Sequence, residues 1–277
     1  MLNLLLRAHR KVLRSFVSDY SELAYNIKKF KRRNAHKKLP ERPQHFTDCI
    51  EILVPCYNHA EYLWGAYQSI VTQSYKKSVI TVTFINDNSS DHTAKVIQKI
   101  CEDAAKHRLL RVKTITNSRN LRQYGSINKA VHESSNQLFI ILNDDDALTP
   151  DSIKIIIETL TKHTELSMLG GSSIWFEKRL PKFEPSVNKK LLSVYLPRDI
   201  GTVKKLNDIN MTHSSSSFFK SAWQAVGGYT AKKDRLIPEA NEDRDFQLRV
   251  AALFAVGIYK TYPLAYWRTD SSHGKDF

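Results

Sequence analysis

The sequence predicts an α/β protein with a mostly parallel β-sheet covered by helices on both faces, preceded by an N-terminal amphipathic helix. Two observations carry this prediction. From Ile50 onward, short apolar runs alternate with amphipathic segments, which is the pattern of repeated β-α units. The run from Leu138 to Leu142 contains no polar residue, as expected of a strand that is buried on both faces.

The predicted elements follow one another in strand–helix order. They are a strand at Ile50 to Val54, a helix at Tyr62 to Val71, a strand at Val79 to Ile85, a helix from about Asp91 to Ala105, and strands at Val112 to Thr116 and Leu138 to Leu142. Asp91 is a natural N-cap for the second helix. Because the carboxyl ends of parallel strands meet at one edge of a sheet, we expect ligands to bind there.

The composition is that of a soluble protein with a substantial core. The 277 residues are 42% hydrophobic and 25% charged. The longest apolar run, Ala251 to Tyr259, is about half of the roughly 18 residues that a spanning helix needs. Arginines interrupt the apolar start MLNLLLRAHRKVLRSF, so it does not resemble a secretory signal. A cytoplasmic location is therefore expected, and peripheral attachment to the inner face of the cytoplasmic membrane remains open.

Most of the net charge of +14 lies in the first 45 residues, which hold twelve Lys or Arg against three Asp or Glu. Apolar residues recur there at helical spacing from Leu2 to Phe30, with the cations on the other side. This helix could lie on an anionic membrane surface, or it could pack its apolar stripe on the main domain, a partner or a second copy of the chain. Pro40 and Pro43 then indicate a linker. We therefore divide the chain into residues 1–45 and a domain of residues 46–277, with halves at 46–150 and 151–277.

Acidic residues crowd the end of the buried strand. Asn143, Asp144, Asp145 and Asp146 follow Leu142 directly. Adjacent carboxylates repel one another unless a cation neutralises them. We expect Mg²⁺ or Mn²⁺ rather than zinc, because no nearby Cys or His offers a soft ligand. The alternative is a solvated acidic turn that caps the helix after Pro150.

Polar clusters follow the other predicted strands. The first strand ends in Pro55-Cys56-Tyr57-Asn58 and the second in Asn86-Asp87-Asn88-Ser89-Ser90-Asp91, while Asn120 and Asn128 flank a third cluster. A carboxylate placed like Asp87 can accept hydrogen bonds from a nucleoside. Its alternative role is turn formation.

Together these motifs resemble glycosyltransferase family two. The resemblance covers residues 50–250 and rests on VPCYN, FINDNSSDHT, the two asparagines eight apart, LNDDDALTP, GGY at 227–229 and NEDRDFQLR at 241–249, all in the family's order. It implies the GT-A fold with its Rossmann-like sheet, a nucleotide-sugar donor, a divalent metal (Mn²⁺ or Mg²⁺) and inversion at the anomeric carbon. Two positions depart from the pattern, because Asn143 stands at the first acidic position and Arg122 stands where the family often has Gly.

The resemblance also assigns roles to individual residues. Those implied to bind the nucleotide-sugar are Pro55, Tyr57, Asn58, Asp87, Arg122, Asn128 and Asp144. Those implied to bind metal are Asp145, Asp146 and His273. Asp243 is the implied catalytic base and Glu242 the implied acceptor contact. The alternative for Glu242, Asp243 and Asp245 is the ordinary preference of acidic residues for a helix N-terminus.

The resulting functional prediction is transfer of a single sugar, with a UDP-sugar as the favoured donor, to a saccharide or lipid-linked saccharide in cell-surface polysaccharide or lipopolysaccharide synthesis. The absence of a Q-x-x-R-W motif favours single additions. A nucleotidyltransferase is the alternative, although the loop PCYNHAEYL lacks the glycines of a phosphate loop. Nucleic acid is not an expected partner, because the excess charge lies in a terminal segment outside these motifs.

Overall fold

The computed structural model describes residues 21–107, 110–181, 191–200, 206, 208–236 and 241–271. Residues 1–20 of the predicted amphipathic helix, and the predicted metal ligand His273, lie outside the described residues.

In the described part of the chain, nine strands form one sheet in the order β3-β2-β1-β4-β8-β6-β9-β5, and β7 pairs with β9. The strands are β1 (Ile50–Cys56), β2 (Ile80–Asn86), β3 (Arg111–Thr116), β4 (Leu138–Ile141), β5 (Ala147–Leu148), β6 (Leu166–Phe176), β7 (Leu192–Tyr195), β8 (Ser217–Phe219) and β9 (Ala255–Arg268). The helices are α1 (residues 21–34), α2 (Ala60–Val71), α3 (Thr93–His107), α4 (Arg122–Glu133), α5 (Ser152–Lys162), α6 (Lys220–Val226) and α7 (Glu242–Leu253).

The first four strands form the parallel part of the sheet that the sequence predicts. β1 pairs in parallel with both β2 and β4, and β2 with β3. Alternate residues of β4 face two separate cores, with Leu138 and Ile140 in one and Phe139 and Ile141 in the other. The six predicted strands and helices of this half are confirmed, each with ends within two residues of those expected.

Beyond β4 the sheet becomes mixed. β8 lies antiparallel between β4 and β6, and β9 pairs in parallel with β6 but antiparallel with β5 and β7. The segment before β8 continues along β4, since the Ile141 N–H donates to the Ser216 carbonyl at 2.9 Å. This pairing brings residues 213–216 to the end of β4, beside the acidic turn.

Helix α1 packs on the main domain. Leu23 and Ile27 are buried in the same core as Phe139 and Phe246. The Asn26 side chain donates to the Leu236 carbonyl at 2.7 Å, and the Lys31 ammonium donates to the Pro197 carbonyl at 2.6 Å. For residues 21–34 the packing alternative is therefore correct, and the domain boundary at residue 45 stays a prediction.

No helix among the described residues has both the length and the apolar character needed to cross a bilayer.

Candidate functional site

The acidic turn after β4 is held against the loop that follows β1. The Tyr57 N–H donates to Asp144 Oδ2 at 3.0 Å, and His59 Nδ1 lies 2.9 Å from Asp144 Oδ1. His59 and Asp144 are both buried. Parallel pairing of β1 with β4 places the two loops side by side, which is why residues 85 positions apart meet here.

His59, Asp144 and Asp145 form a set that can hold a metal ion. One potential ligand atom from each lies within 4.8 Å of the others. Two carboxylates and one imidazole are suited to Mn²⁺ and other divalent first-row metals as well as to Mg²⁺. The expectation that no Cys or His lies near the acidic cluster is wrong, because His59 is brought in from the β1 loop. The argument against zinc, which depended on the absence of a nearby Cys or His, therefore no longer holds.

Burial and neighbouring charges govern the protonation of this set. Burial disfavours a charge on His59, but the hydrogen bond and negative charge of Asp144 outweigh it and raise the pKa of His59. Burial also raises the pKa of Asp144. The contact with Asp144 therefore favours the protonated imidazole of His59, while burial favours the protonated carboxyl of Asp144.

Asp146 is turned toward the protein. Its Oδ2 accepts from Ser214 Oγ at 2.5 Å and from Asn143 Nδ2 at 3.2 Å, and its Oδ1 accepts from the Arg268 N–H at 2.9 Å. Burial, together with the charge of Asp145, raises its pKa to about 7. These contacts give Asp146 a structural role in the turn, and metal ligation by it stays a prediction.

Asn143, which departs from the family pattern, has a physical reason to be an amide. Its Nδ2 donates to Asp146, which a carboxylate could not do. Its Oδ1 accepts from Gln123 Nε2 at 2.7 Å and lies 3.2 Å from His213 Nδ1. The amide thus avoids a fourth negative charge in the turn.

The predicted nucleoside-binding residues cluster at the carboxyl ends of β1 and β2. Pro55 lies at the end of β1, and Tyr57 is 37% exposed just after it. Asn58 has a φ of 56°, and its Oδ1 accepts from the Ser90 N–H at 2.8 Å. Asp87 is buried, and its Oδ1 accepts from Asn117 Nδ2 and from the Leu121 N–H, each at 2.8 Å. The structure therefore brings the four residues to one edge of the sheet, and their contact with a nucleoside stays a prediction.

Arg122 begins α4, Asn128 lies near the middle of the same helix, and the two residues differ in environment. Arg122 is exposed and has a φ of 60°, a left-handed backbone that favours glycine, which is the residue the family often has there. Asn128 is committed to protein contacts, since it donates to the Tyr229 carbonyl and accepts from the Tyr229 N–H and Trp223 Nε1. Asn128 therefore joins the two halves of the domain, and its direct contact with the donor stays a prediction.

The predicted catalytic base lies on the first turn of α7, close to a buried histidine. Glu242 forms an ion pair with Arg235 at 2.8 Å. His213 Nε2 lies 3.3 Å from the Tyr229 hydroxyl, and its Nδ1 contacts Asn143. Burial lowers the pKa of His213 although the charges of Asp243 and Glu242 oppose this, which favours the neutral imidazole. This histidine therefore connects the acidic turn with the surroundings of Asp243.

Arg268 is a further residue that sequence reasoning missed. Its guanidinium carbon lies 4.3 Å from the ring centre of Tyr62 and 4.6 Å from that of Phe176. Its Nε donates to the Asp145 carbonyl at 3.1 Å, and its backbone N–H donates to Asp146. Arg268 therefore holds the acidic turn from the β9 side. The pairing of β5 with β9, which no local sequence pattern indicates, brings Arg268 to this turn.

Comparison with known proteins gives a family and a fold. A model of Glycosyl transferase family 2 matches residues 51–224. A GalNAc(5)-diNAcBac-PP-undecaprenol beta-1,3-glucosyltransferase from Campylobacter jejuni is 27% identical over 172 residues, covering 61% of this chain and 50% of that protein. An uncharacterized glycosyltransferase from Haemophilus influenzae is 29% identical over 122 residues, covering 44% of this chain and 36% of the relative. The chain thus spans half or less of the length of these relatives.

Solved structures of low sequence identity share the fold. S. aureus TarS 1-349 in complex with UDP-GlcNAc has a TM-score of 0.63 at 15% identity, covering 82% of this chain and 61% of that chain. The mannosyltransferase PcManGT from Pyrobaculum calidifontis, in complex with GDP-Man and Mn²⁺, has a TM-score of 0.58 at 14% identity, covering 93% and 68%. The predicted GT-A fold is confirmed by this likeness.

Proposed function

Since this chain belongs to glycosyl transferase family 2, we propose that it is an inverting, metal-dependent enzyme that transfers one sugar from a nucleotide-sugar to a saccharide or lipid-linked saccharide. A UDP-sugar is the favoured donor. Family membership makes the chain a glycosyltransferase and decides against the nucleotidyltransferase alternative. One observation carries the finer proposal. The residues that can hold a metal ion, His59, Asp144 and Asp145, lie beside the predicted nucleoside-binding residues at the carboxyl ends of β1, β2 and β4.

The donor side of the proposal follows from this edge. Tyr57 and Asn58 lie in the loop that follows β1. Asp87 fixes the start of α4 by accepting a hydrogen bond from the Leu121 N–H. Exposed Arg122 then offers a cation beside the same edge, suited to the diphosphate. One structural neighbour binds UDP-GlcNAc and another binds GDP-Man, which supports a nucleotide-sugar without deciding the nucleotide.

The proposed metal site consists of His59, Asp144 and Asp145. A divalent cation bound there would stabilise the negative charge that develops on the leaving diphosphate. Arg268 keeps the Asp145 backbone in place, and Asp146 anchors the turn through Ser214 and Asn143. The neighbour with GDP-Man also contains Mn²⁺, which supports a divalent metal here.

The acceptor side rests on α7. Inversion requires the acceptor hydroxyl to attack opposite the leaving group, and a carboxylate near that hydroxyl removes its proton. Asp243 is the proposed base, while Glu242, held by Arg235, is the proposed acceptor contact. The C. jejuni relative is named for an acceptor linked to PP-undecaprenol, which supports a lipid-linked saccharide as the acceptor here. We propose cell-surface polysaccharide or lipopolysaccharide synthesis at the cytoplasmic face of the membrane as the setting of the reaction.

The test is thermal unfolding with UDP, GDP, dTDP and CMP, each with Mn²⁺ or with EDTA. A nucleotide at about a hundred times its Kd adds roughly 2.7 kcal/mol to the free energy of unfolding, a rise in Tm of about 5–10 °C for a chain of this size. We expect one nucleotide to give this shift, and we expect EDTA or Asp145→Ala to abolish it. Asp48→Ala, an exposed carboxylate outside the site, is the control and should keep the shift. No shift with any nucleotide would contradict the proposal.

Arg122→Gly separates backbone strain from donor binding. Relief of the left-handed strain, partly offset by the greater freedom of glycine in the unfolded chain, should leave the free energy of unfolding unchanged or higher by up to about 1 kcal/mol. Loss of the guanidinium should raise the Kd of the stabilising nucleotide about tenfold or more. Denaturant unfolding and nucleotide titration measure the two effects. Arg122→Ala, which keeps the strain, should weaken binding without adding stability, and unchanged affinity in both variants would remove Arg122 from the donor site.

A further inference from the structure

Helix α1 has two opposite faces. At about 100° per residue, Leu23, Ile27, Phe30 and Asn34 share one arc, which packs on the main domain. The opposite arc presents four exposed cations, which are Lys28, Lys29, Arg32 and Arg33. We call these four residues the basic face.

The surroundings of the basic face add to its charge. Lys37 and Lys38 are exposed just beyond the helix, and Glu22 is the one acidic residue between residues 21 and 38. Tyr25 lies on the same arc as the basic face and is 64% exposed. Cations together with an exposed tyrosine are typical of the interface between a membrane and water.

The position of α1 connects the basic face with the acceptor half. Asn26 donates to the Leu236 carbonyl, and the Leu236 N–H in turn donates to Asp245 Oδ1 at 2.7 Å. Asp245 lies two residues after the proposed base, Asp243. The Lys31 ammonium fixes the other end of the helix to the Pro197 and Ile200 carbonyls. A surface that bound the basic face would therefore lie beside the acceptor half of the enzyme.

We propose that the basic face of α1 binds the surface of an anionic phospholipid membrane and so brings the acceptor half to a lipid-linked saccharide. The reason for such a contact rests on the proposed function, whereas the contact itself rests on the charge and exposure of α1. A flat anionic surface complements a row of cations on one outward helix face. Single-stranded nucleic acid is instead bound in grooves that stack bases on several aromatic rings, whereas this face has one tyrosine.

The experiment is co-sedimentation of the full chain with phosphatidylcholine vesicles that contain or lack phosphatidylglycerol. We expect binding only to the anionic vesicles, and we expect added salt to weaken it. Each cation near such a surface contributes about a fivefold factor, so replacing all four residues of the basic face by Gln should lower partitioning by at least about a hundredfold. The fourfold control replaces the exposed Lys95, Lys99, Lys106 and Lys113 by Gln, which removes equal charge elsewhere and should leave most of the binding.

Three results would overturn the proposal. They are equal binding to neutral vesicles, equal loss in both fourfold variants, and binding to single-stranded DNA without binding to anionic vesicles at the same salt concentration. The nucleotide-induced rise in Tm is measured on the same samples. If that rise is present while vesicle binding is absent, this inference fails and the proposed function stands. If vesicle binding is present while that rise is absent, the membrane contact stands and the proposed function fails.

Discussion

Asp243→Asn is expected to lower kcat by about 10²–10⁴-fold while leaving the nucleotide-induced rise in Tm intact. The amide keeps the shape of the side chain but cannot accept the proton of the attacking hydroxyl. Donor binding, at the opposite side of the reacting sugar, does not need that carboxylate. The rate is measured as release of nucleoside diphosphate in the presence of a saccharide or polyprenyl-linked acceptor. The donor is a sugar derivative of the nucleotide that raises the Tm.

The control for this prediction is a carboxylate nine residues upstream. Asp234 is an exposed carboxylate in the same half of the domain, so Asp234→Asn should keep the wild-type rate. If Asp243→Asn retained wild-type kcat, the base would have to be another group. Glu242 would then be the next candidate, because it occupies the same first turn of α7.

The parallel half of the fold could be predicted because its signals are local. The uninterrupted apolar run at Leu138 to Leu142 and the polar residues after each strand identify the elements and the edge where they meet. The family resemblance assigns roles to the other residues of the candidate site. Arg122 stands where the family often has glycine, and its φ is 60°. Arginine therefore carries backbone strain at this position that glycine would not.

The remaining parts of the site depend on pairings that no local pattern reveals. His59 meets Asp144 because β1 pairs with β4, and Arg268 meets Asp145 because β9 pairs with β5. His213 reaches Asn143 only because the segment before β8 runs along β4. Asn128 shows the same limitation, because its side chain bonds to the turn at Tyr229, which its eight-residue spacing from Asn120 does not indicate.

Asp245, two residues after the proposed base, is buried in an ion pair. Its Oδ2 accepts from Arg249 Nε and from Thr230 Oγ1, each at 2.8 Å, and its Oδ1 accepts from the Leu236 N–H. The side chains of Asp245 and Arg249 are 0% and 3% exposed. Arg249 also donates to the Val226 carbonyl at 2.7 Å. The pair thus ties α7 to the turn after α6 and to the segment that contacts α1.

Asp245→Asn is therefore expected to lower the free energy of unfolding by about 3–5 kcal/mol, because it leaves the Arg249 charge buried without a partner. For a chain of this size the corresponding fall in Tm is roughly 6–20 °C. Thermal and urea unfolding measure it. Asp243→Asn is the matched comparison, two residues away in the same helix, and should change the free energy of unfolding by less than about 0.5 kcal/mol.

A double variant tests whether the loss comes from the unpaired charge. Asp245→Leu with Arg249→Met replaces both ions by apolar side chains and should recover part of the loss, since an apolar pair avoids burying an isolated charge. Recovery stays partial because the Leu236 N–H, the Thr230 hydroxyl and the Val226 carbonyl lose their partners. A stability of Asp245→Asn within about 1 kcal/mol of wild type would show that water reaches this pair and would contradict the prediction.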